Sequence, residues 1–234
     1  MKKIELSFWV YDIPQLQVSI EDRHRSVVQR MKRLRSPFSW QELEPPPVPP
    51  RTRGSFLAQY EFRYPEIPIH HSAGYHIRDS RFLFDKARCD DFFCFEFGLD
   101  TLGLNYQTFV HLQGAELVAA IGGYRAALNF SDYRFDFEEL HADEYQLLIR
   151  NDEIDTNGRN NIFSLNPVHY WHETLCRRAL GYGREEVIRR LTGKVPRVEP
   201  LMDGVYVVFS DNPDLTFEEY CAYNDALKPV LGLV

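Results

Sequence analysis

Residues 195–209 read Val-Pro-Arg-Val-Glu-Pro-Leu-Met-Asp-Gly-Val-Tyr-Val-Val-Phe. Val195 to Glu199 and Val205 to Phe209 are two β-prone runs, and the link between them ends in Asp203-Gly204, a hairpin turn signal. Two antiparallel strands are expected there. Downstream, Thr216-x-x-Glu219 is a capping box, and Tyr220, Tyr223, Leu227 and Val230 recur at helical spacing, so a packed amphipathic helix follows the hairpin. Upstream, a helix is expected from about Arg184 to Leu191, ended by Gly193. Before it, Asn166 reads as an N-cap with Pro167 at the first helical position; Val168, Trp171, Leu175 and Ala179 then share one face up to a stop at Gly181.

The opposite end of the chain opens with β structure. Ile4, Leu6, Phe8 and Val10 alternate with Glu5, Ser7, Trp9 and Tyr11, the period of a half-buried strand. Ser19, followed by Glu21 and Asp22, predicts a helix start, and Val27, Val28, Met31 and Leu34 continue it through a basic segment to Arg35. The five prolines in 44–50 fix φ and remove amide donors, which predicts an extended polyproline II connector between residues 1–43 and the rest. A strand is expected from Phe56 to Tyr64. Residues 65–100 read as irregular and aromatic, with a short strand over 92–97 where Phe93, Phe95 and Phe97 alternate. Helix is expected over 102–128 with a break at Gly114, helix again over 136–150, and a loop over 151–161. Strands near both ends with helices between them predict an α+β fold, antiparallel strands with packed amphipathic helices, in a single domain over 1–234.

At 234 residues, with 44% hydrophobic and 26% charged residues, the chain has the make-up of a globular domain able to bury a core. Its net charge of −7 has the wrong sign for coating nucleic acid, so no nucleic-acid partner is expected. No run approaches the length of a membrane span, no secretory h-region follows the N-terminus, and four cysteines show no disulfide framework. A cytoplasmic chain with reduced thiols and no membrane partner is expected.

Catalytic and metal chemistry is sparse. His169-x-x-His172 with Glu173, read on a helix, offers two imidazoles on one face without a third ligand. His70, His71 and His76 form a looser cluster read in a loop. Cys89 and Cys94 are spaced C-x4-C without a second pair. No nucleophile elbow is present; Ser72-Ala73-Gly74 and Cys176 come nearest, and Cys176 reads as a core residue despite Arg177 and Arg178. Gly122-Gly123 lacks the strand before it and the Lys-Ser/Thr after it that a phosphate loop requires. No catalytic residue, metal or cofactor is therefore expected.

Charge is more informative. Residues 130–160 hold nine acids, among them Asp132, Asp136, Glu138, Glu139, Asp143 and Glu144, against three arginines, Arg134, Arg150 and Arg159. Such a segment is either a solvated helix face or a patch that meets a cationic partner, with Tyr133, Phe135, Phe137 and Tyr145 as apolar anchors. Asp132, Tyr133, Asp136, Glu138, Glu139, Asp143, Glu144 and Tyr145 are the candidate partner-binding residues. The basic segment Arg23, Arg25, Arg30, Lys32, Arg33 and Arg35 reads as a surface helix.

Residues 160–233 resemble the ending of bacterial immunity proteins of polymorphic-toxin and type VI secretion systems. The resemblance rests on a tryptophan-bearing helix, a Leu-Thr-Gly stop, the strand Asp203-Gly204-Val205-Tyr206-Val207-Val208 and a terminal helix ending Leu231-Gly232-Leu233, together with the opening strand. It implies a cytosolic inhibitor, without a catalytic site, that binds and neutralises a cognate protein toxin with a basic surface, often a nuclease. It carries no functional residue over one by one. The alternatives are a hydrolase or metal-dependent enzyme built on His169 and His172, and an adaptor that offers Pro45 to Pro50 to a peptide-recognition domain.

Overall fold

A computed structural model describes residues 5–50, 56–63, 68–78, 89–99 and 105–233. Its contacts divide into two compact units, Met1–Gly123 and Tyr124–Val234. The fold is α+β, with antiparallel strands in both units.

The first unit contains β1 (Glu5–Asp12), α1 (Ile20–Met31), β2 (Leu57–Arg63), β3 (His70–His76) and β4 (Asp91–Gly98). A helical run follows: α2 (Tyr106–Thr108), a π-helical turn (Phe109–Gln113) and α3 (Gly114–Ile121). The strands lie in the order β2-β3-β4-β1. In the β1–β4 register Phe8 faces Phe95 and Val10 faces Phe93, so the alternating apolar residues of both strands point to the same side. There Phe8, Phe97 and Phe38 surround Phe109, with ring centroids 5.4, 4.9 and 5.6 Å away. The π turn lies just before Gly114, where the sequence predicts a break.

Three expectations for this unit are corrected. His70, His71 and His76 stand on β3, not in a loop; the pattern His71, Ala73, Tyr75 is buried on one face, a period hidden by the small and polar residues between. The proline-rich run lies outside helix and strand, as expected of an extended connector, but it is packed and not free-standing, since Pro46 and Pro49 are buried. The Pro46 carbonyl accepts from His24 Nε2 at 2.7 Å, which leaves His24 Nδ1 to accept from the Tyr75 hydroxyl at 2.9 Å. The basic helix is also not simply a surface feature. Arg23 is buried, pairs with Asp12 at 2.9 Å and donates to the Ile121 carbonyl, which also receives Arg30. Two guanidinium groups thus satisfy the negative end of α3 before Gly122 turns the chain at φ 72°. Ile4, Phe82, Phe84 and Leu104 lie outside the described residues.

The second unit contains β5 (Arg125–Phe130), α4 (Tyr133–Leu140), α5 (Ala142–Ile149), β6 (Val168–His172), α6 (Glu173–Leu180), α7 (Arg184–Leu191), β7 (Arg197–Leu201), β8 (Gly204–Val208) and α8 (Phe217–Leu231). Its strands lie in the order β5-β6-β8-β7. The expected hairpin is β7–β8, with Met202-Asp203 as its turn and Met202 at φ 46°. Gly204 opens β8 because a Cβ there would lie 2.3 Å from the Trp171 carbonyl oxygen. The capping box forms as read: the Thr216 side chain accepts from the Glu219 amide and the Glu219 side chain from the Thr216 amide.

In this unit too, more of the chain is strand than the sequence predicts. Leu128, assigned to a helix, lies on β5, and the helix expected from Pro167 is a strand for its first five residues. Val168, Trp171, Leu175 and Ala179 do recur at helical spacing. Four successive buried residues, Val168 to Trp171, nevertheless suit a central strand covered on both faces, and β-branched and aromatic side chains favour that state. The helix begins one step later, with His172 as its N-cap: Nδ1 accepts from the Thr174 amide at 3.1 Å.

Candidate protein-binding surface

The acidic segment folds as α4 and α5, which meet at His141. α4 has a clear inner side. Phe137 is buried, with its ring 5.8 Å from Tyr220 and 6.0 Å from Phe163. Tyr133 donates its hydroxyl to the Leu215 carbonyl at 2.9 Å and stacks on Phe130. Glu138 is also buried; it accepts from Arg134 Nε at 2.8 Å and from Asn157 Nδ2 at 3.3 Å. That bond ties α4 to the loop over 151–166, where Asn157 Oδ1 caps the amides of Phe163 and Ser164. The loop is thus ordered from within by its own turn residues, as the sequence grammar predicts.

α5 differs. None of its eight residues is buried, although Tyr145, Leu147, Leu148 and Ile149 make half of it apolar. Tyr145 leans on Phe163 at 5.2 Å, and burial followed by the Glu138 charge pushes its phenol up. Leu147 is 70% exposed, Leu140 at the end of α4 62%, and Phe135 59%. A helix this short is marginal on its own and normally depends on an apolar face packed against the body of the protein. Here much of that apolar surface faces solvent.

The structure therefore sorts the candidate residues. Glu138 is internal, while Tyr133 and Tyr145 are half-buried and pack against their own unit. Glu144 is partly exposed, 4.0 Å from Lys228. Asp132, Asp136, Glu139 and Asp143 are exposed, and no ion pair involves any of them among the described residues. Of the four aromatic anchors read from the sequence, only Phe135 is exposed; Leu140 and Leu147 accompany it. The helical period carries that signal, since Asp136 and Leu140, Phe135 and Glu139, and Asp143 and Leu147 are each four residues apart. Along each of these stripes an acid and an apolar side chain thus lie one turn apart.

Elsewhere on the unit, several charges are compensated locally. Arg177 pairs with Glu173, Arg189 and Arg190 with Glu186, and Arg197 with Glu199.

The groups that might have carried chemistry serve structural roles. His169 and His172 lie three apart on a strand, not on one helix face, so they project to opposite sides. His169 is buried, accepts from the Asn166 amide through Nε2 at 2.7 Å, and is lowered to about 3 chiefly by desolvation. It remains neutral at neutral pH. Burial pushes the Cys176 thiol up to about 12, away from the thiolate a nucleophile requires. Burial, with a smaller contribution from His70, lowers His71 to about 3. Among the described residues no three His, Cys, Asp or Glu side chains are gathered to hold a metal ion, and no helix is long and apolar enough to cross a membrane. Among the described residues the four cysteines form no disulfide.

No protein-family model matches the sequence, and no match is found among curated proteins. Among solved structures, the fold is similar to that of a Pseudomonas aeruginosa T6SS protein, PA0821. The TM-score is 0.52 at 11% sequence identity, and the alignment covers 98% of this chain and 76% of that one. At that identity the likeness is one of fold.

Proposed function

We propose that this chain is a cytoplasmic inhibitor of the immunity type, which binds and neutralises a cognate bacterial toxin by protein–protein contact, and that α4 and α5 present its docking surface. The single observation that carries the reading is α5, a helix that is half apolar, carries acids in its first turn and buries no residue in its own unit. Contiguous exposed apolar surface of this kind marks interaction sites, and α5 offers apolar side chains that its own unit leaves uncovered. The fold-level likeness to a T6SS protein is consistent with the resemblance of residues 160–233 to immunity proteins, of which the strand from Gly204 to Val208 and the terminal helix are kept while Trp171 stands on β6 and not on a helix.

The enzyme reading built on His169 and His172 loses its geometric basis, because the two imidazoles do not converge and each is occupied by a backbone amide. The test is to read the frames beside its gene and to co-express any toxin-like product with this chain. The account expects restored growth and a stable complex on size exclusion. Toxicity that persists in the presence of folded protein, with no complex, would refute it.

A further inference from the structure

We infer that the exposed apolar face formed by Phe135, Leu140 and Leu147 docks onto a cationic protein surface that offers apolar recesses ringed by lysine or arginine. This rests on the inhibitor reading and specifies the partner's chemistry. The argument begins with the apolar residues. Phe135 and Leu140 stand on α4 and Leu147 on α5, each more than half exposed, and α5 gains little from the rest of its unit. A partner that covers these side chains stabilises α5 as well as the contact.

Charge decides which partner. Asp132, Asp136, Glu139 and Asp143 each lie three or four residues from one of the three apolar residues and form no ion pair among the described residues, whereas Glu173 of α6 and Glu186 of α7 are paired with arginines of their own. A second copy presenting the same face would bring like charges together. A second copy presenting α6 and α7 would offer arginines already paired within that copy. A nucleic acid or an anionic membrane would be repelled. The complementary partner is a protein surface with unpaired cations around apolar recesses, in which the leucines and the phenylalanine supply the desolvated contacts and the acids the encounter field.

These two contributions separate kinetically. Rim charges act on association and fade as the Debye length falls from ~10 Å at 0.1 M to ~3 Å at 1 M salt, whereas buried anchors act on dissociation. The experiment uses the full chain and the purified, catalytically inactivated product of the adjacent toxin frame, with binding kinetics measured at low and high salt. One variant carries Asp132→Asn, Asp136→Asn, Glu139→Gln and Asp143→Asn; a second carries Leu140→Ser and Leu147→Ser. All six positions are exposed, and thermal melts check that folding is preserved. The charge variant is expected to associate at least tenfold more slowly at low salt, with the difference shrinking at high salt. The leucine variant is expected to dissociate at least tenfold faster at both. If the wild-type chain binds and both folded variants bind as it does, this assignment of the surface is overturned while the inhibitor reading stands. If the wild-type chain forms no complex, both fall.

Discussion

Acidification should weaken the second unit, and His169 is the reason. Its folded pKa is lowered to about 3, against about 6.5 in an unfolded chain. A depressed histidine contributes stability that is fully present above 6.5 and is lost as pH falls toward 3. Between about pH 7.5 and pH 5 the unfolded imidazole takes up nearly one proton and the folded one almost none, a loss of ~2 kcal/mol. The first unit is balanced differently. His71, also lowered to about 3, costs a similar amount, but Asp12 is raised to about 6, mainly by desolvation that outweighs the Arg23 charge. A raised carboxyl contributes stability below about 4 that is lost as pH rises through 6, so the same acidification returns ~1.4 kcal/mol there, offsetting part of what His71 and the burial-lowered His24 cost.

The second unit has no such compensation, and its one tryptophan, Trp171, reports on it directly; Trp9 and Trp40 lie in the first. Urea unfolding followed by tryptophan fluorescence, for the wild type and for Trp9→Phe/Trp40→Phe, should show the Trp171 transition moving to lower denaturant by the equivalent of ~2 kcal/mol between those pH values. His169→Gln keeps an acceptor for the Asn166 amide and should flatten that dependence. An unchanged pH dependence in His169→Gln would refute the reasoning.

Trp171→Ala should cost ~3–5 kcal/mol, because the ring is buried on the central strand β6; chemical denaturation measures it. His172→Ala removes the N-cap of α6 and should cost ~1 kcal/mol while leaving toxin neutralisation intact; a folded variant that fails to neutralise would revive a chemical role for this histidine. Thr216→Ala breaks the capping box of α8 and should lower stability by ~1 kcal/mol. Gly204→Ala drives a methyl group toward the Trp171 carbonyl and should destabilise the β7–β8 hairpin more than Gly193→Ala, which meets no atom within 4 Å but must hold φ at +74°; thermal melts of the pair decide the order.

What could be read in the sequence follows from how each element is stabilised. Elements specified by local chemistry were legible: the Ser19 cap of α1, the Thr216–Glu219 box of α8, the Gly181 stop of α6, and β1 with its strict alternation. Elements specified by tertiary context were not. β3 carries histidines, serine and glycine, and only pairing with β4 places Ala73 opposite Phe93. β6 carries apolar residues on both faces, so its period is ambiguous until β5 and β8 flank it. The roles of Arg23 and Arg30 depend on a carbonyl about ninety residues away in sequence, which no spacing rule reveals. The acidic segment was visible by composition, but composition does not tell Glu138, turned inward to Arg134, from Glu139, turned outward. Nor does it show that leucines rather than tyrosines are the exposed anchors.

The central claim is that α4 and α5 meet the partner, and hydrogen exchange of the free chain and of its complex with the adjacent-frame toxin tests it most directly. In the free chain, amides of 142–149 should exchange well before those of 217–231, because α5 buries none of its residues whereas α8 has five buried ones. In the complex, the largest gain in protection should fall on residues 132–149. A complex whose protection falls elsewhere, with 132–149 exchanging as in the free chain, would contradict the account.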